Sequence, residues 1–275
     1  MRSLTPAFLL FAVVSTATGA AKDILWQNHF DDALAKSKEL ARPLLIDFWA
    51  SWCDPCHRMD SEVWTDEKVN AFADRYVFVK VDIDVDKSTE SRYFVHAIPT
   101  MVIAEPWGRA VQRREGFANS LEIRDLLGQL PPDYGEVRNE FKALEHDPKD
   151  GKALRRIGQF YADRHAFQLS SDYYRDALKT DLAKENEGWR EDLTLAIAIN
   201  DFRDGKTGDA RKKLASFLKA FPDGRRQPEA MLAQVAVALK ERKRNDAEKV
   251  FQELQRRFPD SQAARNAAAM LAPAK

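Results

Sequence analysis

Cys53 and Cys56 are the chain's only two cysteines, and they close a continuous apolar run, Leu44 to Ala50, that Asp47 alone interrupts. Such a run is the pattern of a strand buried on both faces. A helix is expected to open at Cys53, so a buried strand runs directly into a C-x-x-C that begins a helix. A pair this close closes too short a loop to brace a fold of 275 residues. Its purpose is therefore chemical or metal-binding. Free N–H groups and the positive end of the helix dipole stabilise a thiolate on the first cysteine. The second lies one turn inward, less exposed, placed to attack a mixed disulfide and release a substrate. Pro55 falls early in the helix, where a missing N–H costs little. A zinc site needs two more soft ligands. His57 is adjacent, but no second Cys/His pair exists, so no metal is expected.

The length suits about two domains, each with its own core. Lys and Arg together equal Asp and Glu, 43 each, which argues against a general nucleic-acid binder. Residues 22–130 hold 14 bases and 19 acids, and residues 131–275 hold 28 and 24, so the two parts are different objects. No window reaches the roughly 18 consecutive apolar residues of a membrane span. At the N-terminus, Arg2, the apolar stretch Ala7 to Val14 and the small residues of Thr18-Gly19-Ala20 make up a signal-peptide pattern. Residues 1–21 are therefore expected to be an address that is removed, leaving a periplasmic or otherwise extracytoplasmic protein without an integral membrane segment.

From 22 to 130 helical and strand periods interleave. Phe30, Ala33, Leu34 and Leu40 share a helical face, Tyr76 to Asp82 is a second buried strand, and Thr100 to Ala104 and Arg109 to Glu115 form a hairpin turning at Glu105-Pro106-Trp107-Gly108. Leu121 to Leu130 closes with a helix. This predicts an α/β domain. Pro131-Pro132-Asp133-Tyr134-Gly135 breaks the pattern, so 131–136 is expected to be a linker. Beyond it, 137–275 is all helical period with a repeat: Gly208-Asp209-Ala210 leads to Phe221-Pro222-Asp223, and Asn245-Asp246-Ala247 to Phe258-Pro259-Asp260, at an offset of 37 residues. An earlier copy has Leu154, Ile157, Gly158 and Tyr161, then Ser170, Tyr174 and Ala177. The spacings resemble the tetratricopeptide repeat, whose small residues let two antiparallel helices approach closely. In the middle copy Asp201 stands where an apolar residue is expected. Asp82-x-Asp84-x-Asp86 lacks the glycine and glutamate of a calcium loop and reads as a charged strand end.

Asp47-Phe48-Trp49-Ala50-Ser51-Trp52-Cys53-Asp54-Pro55-Cys56 and Ile98-Pro99-Thr100 resemble the thioredoxin superfamily over about residues 24–130. Trp26 and Met59-x-x-Glu62-Val63-Trp64 are similar to a subgroup of exported thioredoxin-like proteins that includes the C-terminal domain of the electron-transfer protein DsbD. His57 departs from it, standing where a lysine is usual. The resemblance implies a redox disulfide between Cys53 and Cys56, a buried acid at Asp47 with Lys80 as its partner, and a cis-proline loop at Pro99 that pairs with extended substrate. Cys53, Cys56, Asp47 and Lys80 are then the catalytic set. Trp52, Asp54, Pro55, Ile98, Pro99 and Thr100 are the substrate contacts. No cofactor is implied.

The function expected is an exported thiol–disulfide oxidoreductase. Asp54 between the cysteines disfavours a thiolate, which makes the dithiol a better reductant, so reduction of protein disulfides is favoured over oxidation. The expected partners are protein disulfide substrates, a membrane-bound electron donor, and a protein held by the helical repeats, with no nucleic acid. The alternative is an envelope scaffold or chaperone in which the repeats bind partners and the thioredoxin domain is a redox-modulated module.

Overall fold

The computed structural model describes residues 23–272, so the expected signal peptide lies outside the described residues. The elements run in the order β1 (Trp26–Gln27), α1 (Phe30–Leu40), β2 (Leu44–Trp49), α2 (Asp54–Glu62), α3 (Glu67–Asn70), β3 (Val77–Asp82), α4 (Lys87–Arg92), β4 (Thr100–Ala104), β5 (Ala110–Glu115) and α5 (Ser120–Leu127). The five strands form one sheet ordered β1-β3-β2-β4-β5. The first three are parallel, and β4 and β5 continue antiparallel.

Central strand β2 is buried from Leu44 to Phe48, as its unbroken apolar run requires. Successive side chains point to opposite faces. Leu45 joins Phe78, Met101, Met59, Val63, Trp64, Ile123 and Leu127 on one face. Leu44, Ile46 and Phe48 join Val79, Val81, Phe30 and Tyr93 on the other. The same alternation puts Asp47 on the Leu45 face, the one covered by α2 and α5. Edge strand β5 carries Arg113, Arg114 and Glu115 in solvent, which blunts that edge. Three elements of this region go beyond the sequence reading: the two-residue strand β1, the short helix α3, and α4, whose N-cap Asp86 accepts from the Thr89 N–H. Asp82 accepts from the Asp84 N–H. The acids of 82–86 thus act in a strand end and a helix cap.

The C-terminal region is all helix, as expected: α6 (Arg138–His146), α7 (Gly151–Asp163), α8 (Phe167–Leu178), α9 (Asp181–Glu185), α10 (Glu187–Arg203), α11 (Thr207–Ala220), α12 (Gln227–Lys240), α13 (Arg244–Arg257) and α14 (Gln262–Leu271). From α10 onward each helix packs on the next, and α8 lies against both α7 and α10. A Cβ at Gly158 would come within 2.5 Å of the Tyr174 ring, so only glycine allows α7 and α8 this approach. Asp201 is buried and pairs with Lys213, which explains an acid at an otherwise apolar position. No helix among the described residues is long and apolar enough to cross a membrane.

The two regions meet at the turn between β4 and β5. Glu105 is fully buried there, and its carboxylate accepts from the hydroxyls of Tyr161 and Tyr173, the latter at 2.6 Å. Trp107 stacks on Phe141 at 4.5 Å between centroids, and Arg109 lies 4.5 Å above the Tyr173 ring. Tyr134, in the segment after α5, is fully buried and donates its N–H to the Ala41 carbonyl at 2.8 Å. Burial pushes the Glu105 carboxyl up, and the two tyrosine hydroxyls with Arg109 hold it back. Glu105→Ala leaves the buried Tyr173 hydroxyl without its acceptor and Tyr161 with only the Tyr134 hydroxyl, 3.2 Å away. It is expected to lower stability by roughly 2–4 kcal/mol in denaturant unfolding, whereas Gln, which keeps an acceptor, is expected to lose less.

Candidate active site

The chain leaves β2 at Trp49 and turns into α2 at Cys53. The Cys53 N–H donates to the Ala50 carbonyl at 3.1 Å, closing the turn. Cys53 is the N-cap of α2, with extended backbone, and its sulfur accepts from the Cys56 N–H at 3.2 Å. Its carbonyl takes the Cys56 and His57 N–H groups at 3.0 and 3.2 Å. Pro55 sits in the first turn, where its lack of a donor leaves nothing unpaired. The two sulfurs are joined as a disulfide, with Cα atoms 5.2 Å apart. Both cysteines are only 3% exposed, so burial alone does not distinguish attacking from resolving sulfur.

Exposed groups surround the pair. Trp52 is 63% exposed and donates its indole N–H to Asp84 at 2.7 Å. Asp54 and Pro55 are exposed beside the disulfide. His57 lies outside it, its Nε2 donating to the Ser51 carbonyl at 2.9 Å, so the ring fastens α2 to the loop before the cysteines. The Ile98–Pro99 peptide bond is cis. Thr100, which opens β4, pairs with Phe48 of β2, so the proline loop lies at the same end of the sheet as the disulfide. The Pro99 carbonyl accepts from the Gly116 N–H at 2.8 Å, and the Thr100 hydroxyl donates to the Ala97 carbonyl at 2.7 Å. These two bonds hold the loop.

Asp47 is 2% exposed and stands opposite Lys80 in the β2–β3 register. Burial raises its carboxyl from 3.8 to about 7. The Lys80 ammonium, 4.0 Å from Oδ2, pulls it down, Asp60 pushes it up, and the Trp64 indole N–H pulls it down. Lys80 does not belong to Asp47 alone, because its closer carboxylate is Asp60 on α2. The ammonium also lies over the rings of Trp26 and Trp49, at 5.2 and 5.5 Å. Asp60 was not among the residues expected from the sequence. Its available signal was its place four residues after Cys56, one turn along the same helix face.

Similarities to known proteins agree with this geometry. A family described as Thioredoxin-like matches residues 25–106. A thioredoxin of Alicyclobacillus acidocaldarius subsp. acidocaldarius is 34% identical over 106 residues, covering 38% of this chain and 94% of that protein. A thioredoxin of Thiocapsa roseopersicina is 39% identical over 77 residues, 28% of this chain and 79% of that protein. A solved structure titled DsbH Oxidoreductase is 21% identical, covering 45% of this chain and 96% of its own, with a TM-score of 0.36. With a C-x-P-C disulfide at a helix head after the central strand, a buried acid in that strand, and a relative matched along nearly its whole length, the chain belongs to the thioredoxin family of thiol–disulfide oxidoreductases.

Proposed function

We propose that the protein is an exported reductase of protein disulfides. The observation that carries the direction is the charge around the dithiol. Asp54 borders Cys53, and Asp47 and Asp60 lie along the α2 side of the sheet, with one ammonium, Lys80, shared between them. Carboxylates near a thiol disfavour its thiolate and so favour the disulfide over the dithiol, which makes the reduced pair an electron donor.

In the proposed cycle the Cys53 thiolate attacks one sulfur of a substrate disulfide. This forms a mixed disulfide and expels a substrate thiolate, which takes a proton from solvent. Asp47 removes the Cys56 proton, through water, and the Cys56 thiolate attacks the Cys53 sulfur. That step forms the Cys53–Cys56 bond, breaks the bond from Cys53 to the substrate and expels the second substrate thiolate, which takes the proton held by Asp47, again through water. The substrate gains two electrons and two protons, and the enzyme is left oxidised until a dithiol donor, proposed to be membrane-bound, reduces it. The cis Pro99 loop and exposed Trp52 flank the pair as the peptide-binding edge. The C-terminal helices are proposed to be tetratricopeptide-like repeats that hold a protein partner, supported by the glycine-dependent contact of α7 with α8.

Two measurements test the reading. In dithiol/disulfide buffers the Cys53–Cys56 pair is expected to equilibrate near the thioredoxin end, about −270 mV. A value near −120 mV makes the protein an oxidant instead. A Cys56→Ser variant is expected to accumulate disulfide-linked protein substrates, and an unchanged, purely non-covalent set of partners would assign the function to the helical region as a scaffold.

Asp47 gives an independent pH dependence. The folded protein holds a proton on this carboxyl that the unfolded chain gives up near its ordinary value of 3.8. The associated stability is fully present below that value and is lost as the pH rises through about 7. Asp47→Asn abolishes the linkage. Relative to wild type, the oxidised variant is expected to gain stability between pH 4 and 8, by up to roughly 3–4 kcal/mol at the upper end, in urea unfolding at each pH.

A further inference from the structure

Asp47 Oδ1 and the indole nitrogen of Trp64 are both buried and lack a hydrogen-bond partner of ordinary geometry among the described residues. Their residues are 2% and 5% exposed, so water at the surface does not satisfy them. An unpaired donor and an unpaired acceptor in one interior are each unfavourable. They share one neighbourhood: the Lys80 ammonium lies 4.0 Å from Asp47 Oδ2 and 5.2 Å from the centre of the Trp26 ring, against which Trp64 packs, and the indole N–H acts on Asp47 as a donor that favours the charged carboxylate. Trp64 is held firmly enough for this. It directly follows the C-cap of α2, its backbone N–H donates to the Met59 carbonyl at 3.0 Å, and its ring packs edge-on against Trp26 at 5.3 Å.

The geometry points to Trp64 as a positioning residue for Asp47: its fixed indole N–H donates more strongly to the ionised carboxylate than to the protonated acid. The Trp64–Asp47 contact thereby lowers the pH at which Asp47 can take the Cys56 proton, and this role in turnover rests on the reductase cycle proposed above. The other groups facing Asp47 act on it through charge, Lys80 more strongly than the indole. Lys80 of β3 lies on the Oδ2 side and is drawn to Asp60 of α2, whose own charge opposes ionisation of Asp47. On the other flank β4 sets uncharged Met101 opposite Asp47. The indole has no charge to share and no other partner among the described residues, so its full donor capacity is available to one oxygen.

Trp64→Phe keeps a ring in place and deletes the N–H. In the oxidised protein, the Asp47 side-chain carbon signal is expected to titrate at a midpoint about one pH unit higher in the variant than in wild type. An unchanged midpoint would overturn the assignment. Wild type supplies a second test that does not depend on the variant folding. The Trp64 indole ¹H–¹⁵N signal is expected to move with the Asp47 midpoint and to stop moving in Asp47→Asn, and a signal indifferent to pH would overturn the assignment equally. The pH profile of thiol–disulfide exchange is expected to shift the same way in Trp64→Phe, with no further shift when the change is made in Asp47→Asn. A shift of that profile in the Asp47→Asn background would show Trp64 acting by some other route. If wild-type Cys53–Cys56 exchanged with no protein disulfide, the reductase reading would fall while the two titrations still decided the Trp64 contact.

Discussion

Strand β2 is the constraint on which the rest of the N-terminal region depends. It is paired on both sides and covered on both faces, so its side chains have no solvent to turn to. Two consequences follow. The backbone must emerge from the end of a rigid strand, which places Cys53 at the head of α2 with the turn bonds already made. A carboxylate at Asp47 must also be accommodated in an apolar layer, and its raised proton affinity is the physical outcome.

The chemistry then depends on how few groups share that layer. Lys80, Asp60, Trp64 and Trp26 form one connected set beside Asp47, in which a single ammonium serves two acids and lies against two aromatic rings. In a medium of low polarity each member alters the others strongly. The balance does not therefore belong to any one pair, and the aspartate–lysine partnership expected from the sequence is only part of it.

The helical region joins the molecule at the other end of the sheet. Glu105 follows Ala104, which pairs with Leu44, whereas the disulfide follows Trp49 at the far end of β2. The length of that strand separates them by roughly 17 Å. The junction is built from a buried carboxylate, two tyrosine hydroxyls and a stacked tryptophan. Attached there, the helices leave Trp52 and the cis-proline loop at the opposite end, where Trp52 remains exposed.

The sequence by itself determined what is local in the chain. The doubly buried strand was legible because its apolar run is continuous, the helix at Cys53 because C-x-P-C follows that run directly, and the hairpin because two strand runs flank a glycine-containing turn. The α/β-then-helical division was legible because periodicity changes at Pro131. Tertiary structure decided what brings distant positions together. Lys80 and Asp60, twenty residues apart, meet only because β3 lies beside β2 under α2. Trp64 could be quoted as part of a motif, yet its bearing on Asp47 needs the fold of α2 across the sheet. Glu105, outwardly a turn residue, is buried because helices from much later in the chain close over it. Hydrophobic periodicity reports which face of an element is covered, and only packing selects which polar groups end up sharing the covered side.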